Sequence, residues 1–461
     1  MSLEPLLART PRPLAAHITL VHVPAPRVPL EAFLSMPLQD ARTASGFMWD
    51  ARTHESAARE EWAFAGRGVQ HRIEVSGAEP SVDARVALTQ FFRELDESRD
   101  DEGAPPARMF GGLAFRGGDT RDETWAGFAD ATFVLPRLRY ALGPDRAVLT
   151  LAVPVGESVA TATEHARRVA GALAAHAALP PAARGAKAPA RITRETSLAS
   201  WSEQVEAALT AIRRGEADKL VTARRTELTL PGPGDVPAML AALAALEPSA
   251  VRFAFQPRHE ASFFGASPEL LARVHEGGQF VDSEAVAGSV PRAGDDAREA
   301  AALAASEKDA REHAHVITGI VDALAPLAAH VDAGATSVRT LAAVHHLRTP
   351  VRATLRDRTH VLDVVRALHP TPAVSGAPRA AAGAWLAANE RVARGWYAAP
   401  VGFVDRQGEG AFVVAIRSAL VRGARAWVYA GAGIVEGSVA EAEYRETRAK
   451  MRTLLTVLGA P

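Results

Sequence analysis

Two short runs of acidic and basic residues are the parts of the sequence best suited to metal chemistry. Glu443, Glu446 and Lys450 lie in GIVEGSVAEAEYRETRAKM, and their spacing puts all three side chains on one face of a predicted helix. Asp309 and Glu312, in SEKDAREH, have the i, i+3 spacing on another predicted helix. Two such faces could supply oxygen ligands to one divalent cation. Taken alone, each face is more typical of a solvated helix flank with ion pairs, so the metal hypothesis depends on the residues described next.

A lysine and a glutamate in apolar surroundings are candidates for a base and an acid. Lys219 opens the predicted strand KLVTARRTELTL, with Val221 and Ala223 on the same face, so burial could lower the pKa of its ammonium. Glu269 follows a Ser-Pro pair and precedes two leucines, and a carboxylic acid so placed can keep its proton at neutral pH. The alternatives are a solvent-facing lysine on an edge strand and a solvated glutamate at a strand end.

Arg417 and two glycines near the C-terminus are candidates for ligand contacts. Arg417 interrupts the apolar run FVVAIRSAL, and its fork suits a substrate carboxylate, although a structural salt bridge explains it equally well. Gly431 and Gly433, in YAGAGIVEGS, are only superficially like a dinucleotide fingerprint, because too few residues follow them for the βαβ unit that it requires. We expect these glycines to let backbone approach a ligand.

The composition excludes several classes of function. In the 461 residues, 52 Lys and Arg nearly balance 53 Asp and Glu, so we expect a small-molecule substrate and neither nucleic acid nor membrane as partner. The absence of cysteine excludes disulfides and thiolate chemistry. His313, His315 and His345 lack zinc-protease spacing and are expected to have packing or surface roles. The N-terminus lacks the apolar core of a signal peptide, and VPAMLAALAAL is too short to span a bilayer, so we expect a cytoplasmic protein.

Strands and helices mix without strict βαβ alternation, which favours an α+β architecture. The run LPPAARGAKAPARIT predicts a linker that separates an N-terminal half, 1–190, from a catalytic region, 191–461. The patterns also predict a Gly277-Gly278 turn and a helix in SWSEQVEAALTAIRRGE with a Ser cap and a Gly stop. The other principal elements are strands at 131–142, 399–404, 411–420 and 425–431, and helices at 156–178, 296–327 and from about 439.

Together these segments resemble the chorismate-utilising enzymes, the family of isochorismate synthases, salicylate synthases and the large subunits of anthranilate and aminodeoxychorismate synthases. The resemblance covers about residues 200–455, through KLVTAR, SPELL, EAVAGSVPR, SEKDAREH, VHHL, LHPTPAVSGAP, RGWYAAPVGF, GAFVVAIRSAL and YAGAGIVEGSVAEAEYRETRAK in that order. The N-terminal part matches loosely, through FGGLAF, Trp125 with Phe128, and FVLPRL. The resemblance implies an α+β fold of two related halves, as in the anthranilate synthase large subunit, with stacked β-sheets in the core and helices outside.

The resemblance also implies roles for individual residues. Lys219 matches the base that activates water at ring carbon 2 of chorismate, and Glu269 the acid that protonates the departing carbon-4 hydroxyl. The expected Mg²⁺ ligands are Glu312 and Glu446, supported by Asp309 and Glu443. The metal would hold the ring carboxylate of chorismate. The remaining residues expected at the substrate are Arg417 and Tyr397 at the enolpyruvyl carboxylate, the backbone of Gly431 and Gly433, Gly288 and Ser289 near the ring carboxylate, His346, and Lys450 beside the metal helix.

Three positions distinguish the members of this family. The amine-transferring relatives have Gln at Lys219, aminodeoxychorismate synthases have a nucleophilic Lys at Ala287, and lyase-capable relatives have Thr at Ala373. The resemblance therefore implies an isochorismate synthase that uses Mg²⁺ and water, acts as a monomer and needs no glutamine amidotransferase subunit. The alternatives are a salicylate synthase, which also eliminates pyruvate, and a catalytically silent chorismate-binding paralogue. The product could serve menaquinone or siderophore synthesis. Ala399, where relatives usually have Gly, leaves the local backbone fit open.

Overall fold

Antiparallel pairing joins all the hydrogen-bonded strand neighbours among the described residues. The computed structural model describes residues 18–38, 45–52, 61–77, 79–95, 103–178, 189–258 and 261–460. Most of the predicted linker, at 179–188, lies outside the described residues. None of the described helices is long and apolar enough to cross a membrane.

The strands, in chain order, are β1 Ile18–Ala25, β2 Gly46–Asp50, β3 Ala63–Val75, β4 Arg108–Leu113, β5 Ala131–Leu142, β6 Ala147–Pro154, β7 Arg191–Glu195, β8 Lys219–Thr229, β9 Val251–Arg258, β10 Ala261–Ser267, β11 Leu270–His275, β12 Phe280–Pro291, β13 Ala328–Ala333, β14 Ser337–Thr340, β15 Val344–Leu355, β16 Gly376–Ala377, β17 Pro400–Asp405, β18 Gly410–Val414, β19 Ser418–Arg422 and β20 Arg425–Ile434. The helices are α1 Leu30–Ser35, α2 Pro80–Glu94, α3 Val159–Ala177, α4 Leu198–Arg213, α5 Val236–Leu246, α6 Asp296–Ala304, α7 Glu307–Leu324, α8 Val361–Leu368, α9 Arg379–Asn389 and α10 Ala440–Val457, with short 3₁₀ turns at Asp119–Arg121 and Glu123–Trp125.

The strands form two sheets that share β5. The first sheet has the order β1-β6-β5-β3-β2-β9-β10-β19-β20-β8, with β7 and β16 along the outer edge of β8. The second sheet has the order β5-β4-β17-β18-β11-β12-β15, with β13 and β14 beyond β15. The pairings of β2 with β9 and of β4 with β17 hydrogen-bond the N-terminal half, 1–190, to the catalytic region, 191–461.

The two sheets stack face to face through aromatic side chains. Trp49 on β2 meets Phe403 on β17 with ring centroids 5.6 Å apart, and Phe64 on β3 meets Phe110 on β4 at the same distance. Helices α3, α5 and α10 pack on the outer face of the first sheet, and α7 and α8 pack on the second. These layers confirm the predicted α+β fold with stacked sheets inside and helices outside.

The prediction of one continuous helix over 296–327 is wrong. The chain forms two helices, α6 and α7, with Ala305 and Ser306 between them. The Ser306 hydroxyl accepts a hydrogen bond from the Asp309 amide at 3.3 Å, which is the N-cap arrangement. Because that cap satisfies an amide at the start of α7, a new helix begins here rather than the old one continuing.

The strand predicted over 411–420 is also divided. Strand β18 ends at Val414 in the second sheet, and β19 begins at Ser418 in the first. Arg417, with φ of 51°, occupies the left-handed region just before β19. The apolar pattern is continuous because both strands are buried, but the chain changes sheet between them.

Candidate active site

The chain crosses between the sheets at two neighbouring points, and these crossings deliver Glu269 and Arg417. Glu269 lies between β10 and β11, and Arg417 lies between β18 and β19. The Val414 amide donates to the Glu269 carbonyl, and the Ala266 amide donates to the Arg417 carbonyl, both at 3.1 Å. The two crossings are therefore tied together, and both side chains enter one cavity between the sheets.

Both apolar and polar side chains line this cavity, as is usual in a small-molecule site. Eleven of the fifteen residues predicted for the site line it: Glu269, Gly288, Ser289, Glu312, His346, Ala373, Tyr397, Arg417, Gly431, Gly433 and Lys450. The lining does not include the other four, Lys219, Asp309, Glu443 and Glu446, and the contacts of each are given below. The structure thus brings together residues from distant parts of the sequence into one place.

Glu269 is a buried carboxylic acid at the wall of the cavity. Its side chain is 2% exposed, and burial raises its pKa to about 8, with the negative charge of Glu284 adding to the effect. Lys219, Lys450 and Arg339 oppose the shift. At neutral pH most of this carboxyl group carries its proton, so Glu269 can donate a proton to a leaving group.

Lys219 is the first residue of β8 and is fully buried. Its Nζ lies 3.0 Å from Oε1 of Glu312 on α7. Burial alone would raise the pKa of Glu312. The positive charge of Lys219, with smaller effects from Lys450 and Lys308, outweighs burial and lowers that pKa. A Cβ at Gly433 would stand 2.3 Å from Glu312 Oε1, so a side chain there would move the carboxylate away from its present position. The solvent-facing alternative for Lys219 is excluded.

Arg417 is held by a short chain of hydrogen bonds that fixes the state of His346. One Arg417 nitrogen donates to the Lys450 carbonyl and another donates to His346 Nε2, each at 2.9 Å. A guanidinium only donates, so Nε2 must accept and Nδ1 must carry the proton, which it shares with the Ser289 hydroxyl at 2.8 Å. Burial, followed by the charges of Arg417 and Lys450, lowers the pKa of His346 well below its usual value. His346 is therefore a neutral orienting group.

A bulge in β12 shapes the wall next to His346. Pairing with β15 shifts register between Ala287 and Ser289, and Gly288 there has φ of 75°. A Cβ at Gly288 would lie 3.1 Å from Asp309 Cβ, so α7 packs closely on this bulge. The Asp309 carboxylate itself accepts from the Ser306 hydroxyl at 2.5 Å. Asp309 thus supports the start of α7 in this structure.

Two stacked tyrosines form another part of the wall. The rings of Tyr397 and Tyr429 lie 5.1 Å apart at an angle of 17°, and burial raises the pKa of Tyr397 to about 12, so its hydroxyl keeps its proton. Lys450 Nζ donates to the Gly431 carbonyl at 3.1 Å and lies 2.5 Å from Glu446. Tyr397 therefore offers a hydroxyl donor beside the cationic side chain of Lys450.

The predicted metal carboxylates face lysines rather than one another. Glu312 pairs with Lys219, Glu446 with Lys450, and Glu443 with Lys308 at 3.0 Å. Burial raises the pKa of Glu446, and the negative charges of Glu443 and Glu312 raise it further against the pull of Lys450. Each of the three carboxylates thus has its own lysine partner, while the charges of Glu443 and Glu312 still act on Glu446.

A second acidic cluster lies apart from the cavity. It consists of Asp296, Glu299 and His345 in the described part of the chain. Each residue offers one atom that could bind a metal, and these three atoms lie within 4.8 Å of one another. Arg292 engages both oxygens of Asp296, at 2.7 and 2.6 Å, and His345 Nδ1 meets the Thr340 hydroxyl at 2.9 Å. His345 is fully buried, as the expected packing role requires.

Comparison with known proteins identifies the family. A family profile described as "Chorismate binding enzyme" matches residues 20–459. The chain is 37% identical over 371 residues to the "Salicylate biosynthesis isochorismate synthase" of Pseudomonas aeruginosa, which covers 78% of this chain and 76% of that protein. It is 33% identical over 375 residues to the "Isochorismate synthase MenF" of Bacillus subtilis, which covers 80% and 78% respectively.

This chain belongs to the chorismate-binding enzymes. Among solved structures, the menaquinone-specific isochorismate synthase MenF from Escherichia coli matches with a TM-score of 0.74 and 27% identity, over 96% of this chain and 94% of that one. Anthranilate synthase component I from Streptococcus pneumoniae matches in fold, with a TM-score of 0.70 and 20% identity, over 92% and 96%. The comparisons confirm the family, the fold class and the interpretation as an isochorismate synthase.

In this chorismate-binding enzyme, Ala399 replaces the glycine expected from the family, and it directly follows the residue of this turn that has a positive φ. The left-handed residue of this turn is Ala398, with φ of 60°, and its amide donates to the Ala415 carbonyl at 2.9 Å. Ala399 is buried and its φ is not positive. An alanine therefore fits at 399 without the backbone strain that would demand glycine.

Sequence reasoning missed Arg394, a buried arginine of the cavity wall. Its guanidinium donates to the carbonyls of Val374 and Val221 and pairs with Glu390 at 2.6 Å. These bonds fix the chain next to Ala373 and near Lys219. The only signal in the sequence was a charged residue just before the apolar run GWYAAPVGF, which does not reveal partners so distant along the chain.

Proposed function

We propose that this enzyme converts chorismate to isochorismate in the cavity, by adding water at ring carbon 2 and expelling the carbon-4 hydroxyl. The observation on which the proposal depends is that Glu269, a carboxylic acid protonated at neutral pH, shares one cavity with Arg417 and Glu312. The Nζ of Lys219 lies 3.0 Å from that Glu312 carboxylate. Similarity to proteins named isochorismate synthases, at 33% identity and above over most of the chain, supports the same reaction.

Glu269 would act as the general acid. Expulsion of a hydroxide from ring carbon 4 is unfavourable, and transfer of the Glu269 proton lets the group depart as water. The two ring double bonds move by one position as the new bond forms at carbon 2 and the old bond breaks at carbon 4. Positioned proton transfer of this kind typically accelerates a reaction about 10²–10⁴-fold.

Lys219 would act as the general base that takes the proton from the attacking water. An amine can do so only with a free lone pair, and the Lys219 Nζ now lies 3.0 Å from the Glu312 carboxylate. Base action therefore requires the Lys219–Glu312 pair to separate when the site is loaded. The proton that Lys219 gains and the proton that Glu269 loses balance over one turnover, and bulk solvent resets both groups.

Arg417 and Tyr397 would hold the enolpyruvyl carboxylate. The guanidinium is oriented by His346 and by the Lys450 carbonyl, and two of its five N–H groups serve those bonds. Others can face a carboxylate in the cavity, and the protonated Tyr397 hydroxyl supplies a further donor.

We propose that the acidic side chains beside the cavity hold a Mg²⁺ ion. Burial raises the pKa of Glu446, and the nearby carboxylates of Glu443 and Glu312 raise it further. Carboxylate oxygens are the donors that Mg²⁺ prefers. We propose Glu312 and Glu446 as ligands, with Glu443 and Asp309 in support. When bound, the ion would supply positive charge that holds and polarises the ring carboxylate of chorismate.

Product chromatography tests the proposed function. The purified chain, given chorismate and Mg²⁺ alone, should form isochorismate, and excess EDTA should abolish the reaction. Added ammonium should give no aminated product, since we propose that the enzyme needs no amidotransferase subunit. Undiminished turnover in EDTA, or an amine in the product, would contradict the proposal. Light scattering during the same purification would test the further expectation that this cytoplasmic enzyme is a monomer.

A further inference from the structure

One buried ion pair, Glu284 with Arg339, hydrogen-bonds to the backbone on both sides of Glu269. The Leu270 amide, directly after Glu269, donates to Oε1 of Glu284 at 2.9 Å. The Pro268 carbonyl, directly before it, accepts a short hydrogen bond from Arg339. Both partners come from the second sheet, Glu284 from β12 and Arg339 from β14. The crossing that presents Glu269 to the cavity is thus fixed from outside its own strands.

The Glu284–Arg339 ion pair is bidentate. Arg339 meets Glu284 through both nitrogens, at 3.2 Å and 3.1 Å, and Arg348 on β15 donates to the same carboxylate at 2.6 Å. Glu284 is 1% exposed and Arg339 is 6% exposed. A forked pair this deeply buried holds its geometry firmly, and loss of either partner leaves an uncompensated charge.

The side chains of Glu284 and Arg339 do not line the cavity, but the charges of both affect the pKa of Glu269, which does. The charges that face Glu269 are the carboxylate of Glu284 and the cations Lys219, Lys450 and Arg339. Burial has the largest effect on the Glu269 proton, and Glu284 is the charge that adds to it. Without Glu284, only burial would oppose the effect of these cations on Glu269.

We propose that Glu284 is a positioning residue for the reaction, which acts through Glu269 by holding, together with Arg339, the backbone on both sides of it. Its charge has a second effect, because a nearby carboxylate favours the protonated form of Glu269, the form that a general acid needs. This inference deepens the proposed function and rests on Glu269 being the acid.

The test compares two substitutions at Glu284 by their effect on the pH dependence of kcat/KM. Glu284→Gln keeps the shape and removes the charge, so the pKa of Glu269 should fall. The loss of activity at high pH should then begin at least about one pH unit lower than in the wild type. Glu284→Asp keeps the charge but is one methylene shorter, so turnover should fall about 10-fold while the pH midpoint stays near that of the wild type.

Asp50→Asn is the matched control. Asp50 is also a buried carboxylate held by two arginines, Arg52 and Arg252, but it lies on β2 away from the cavity. Its substitution should lower stability and leave the pH midpoint unchanged. If Glu284→Gln does not fold, Arg348→Gln replaces it. That change leaves Glu284 less neutralised and should move the midpoint to higher pH.

The outcomes separate this inference from the proposed function. If the wild type makes no isochorismate, or Glu269→Gln stays active, the proposed function or its acid is wrong. If both hold, and Glu284→Gln or Arg348→Gln leaves the pH midpoint and turnover at wild-type values, Glu284 has no positioning role. A midpoint shift equal to that of Asp50→Asn would overturn the inference as well, because it would be a general effect of destabilisation.

Discussion

Two glutamates on different walls of the same cavity have pKa values shifted in opposite directions. On the wall formed by the crossing between β10 and β11, Glu269 has a carboxylate behind it, and its pKa rises to about 8. On the wall formed by α7 and β8, Glu312 has Lys219 at 3.0 Å, and its pKa falls. Burial acts in the same direction on both residues, so the neighbouring charge decides which one keeps its proton.

Because their pKa values are shifted in opposite directions, Glu269 and Glu312 can have different chemical roles. A protonated glutamate can donate to a leaving hydroxyl, and an ionised glutamate can hold a cation or a lysine. One residue type thus serves two purposes a short distance apart. The proposed function depends on this division, and substitutions on each wall should have different consequences.

The largest expected effect is on turnover. Glu269→Gln and Lys219→Ala should each lower kcat by about 10²-fold or more, because each removes a positioned acid or base. Substrate affinity should change little, since Arg417 and Tyr397 remain. Turnover measured by product chromatography and binding measured by calorimetry give the two quantities. Near wild-type turnover in either variant would mean that its residue does not have the assigned role.

On the ionised wall, the expected effect is on stability. Glu312→Gln leaves the ammonium of Lys219 fully buried without its partner, which should cost about 3 kcal/mol of unfolding free energy. The loss should be greatest at neutral pH and disappear in acid, where Glu312 of the wild type also becomes protonated. Glu203→Gln is the control, because its pair with Arg391 is exposed and should contribute under about 1 kcal/mol. Equal losses in chemical denaturation would remove the contrast between the walls.

On the protonated wall, stability should depend on pH in the opposite sense. The folded-state pKa of Glu269 lies above its ordinary value of 4.5, so its contribution is present below pH 4.5 and is lost as the pH rises to about 8. Glu269→Gln cannot ionise and should melt higher than the wild type at pH 8.5, by about 2 °C or more, with little difference at pH 5. Melting curves at the two pH values check this, and a constant difference would contradict it.

The smallest expected effect is at Ala373, which lines the cavity. Ala373→Thr should introduce some pyruvate release, because bound isochorismate needs only a small repositioning to bring a ring hydrogen near the side chain, and such shifts can change rates about 10²-fold. A coupled lactate dehydrogenase assay on both proteins measures it. Abundant pyruvate from the wild type would make the chain a salicylate synthase. No pyruvate from the variant would mean that Ala373 does not control this branch.

Local patterns predicted many elements correctly. Strand β5 occupies 131–142 as predicted, β8 opens at Lys219, and α4 is followed by Gly215 with φ of 70°. The serine that caps α4 is Ser197, three residues before the predicted segment begins. The hairpin turn at Gly277 and Gly278 has positive φ at both residues. Each of these features depends on neighbours within a few residues, which the sequence displays directly.

Features that depend on distant partners could not be predicted in the same way. The apolar pattern does not show that the chain changes sheet at Arg417, because β18 and β19 are both buried. The grip of Glu284 and Arg339 on Glu269 joins residues 14 to 71 positions apart. Local features singled out candidates such as Lys219, Glu269 and Arg417, and the family resemblance gave their roles and added further residues. The pairing of each metal-site glutamate with its own lysine came only from the structure.

The pH dependence of isochorismate formation by the wild type tests the central claim most directly, namely that Glu269 holds the proton that the leaving hydroxyl takes. Above its pKa the carboxyl group has no proton to give, so kcat/KM should fall tenfold per pH unit beyond a midpoint near 8. The remaining activity of Glu269→Gln should show no such fall. A wild-type rate that stays constant between pH 7 and about 9.5, where Glu269 should be ionised, would contradict the account.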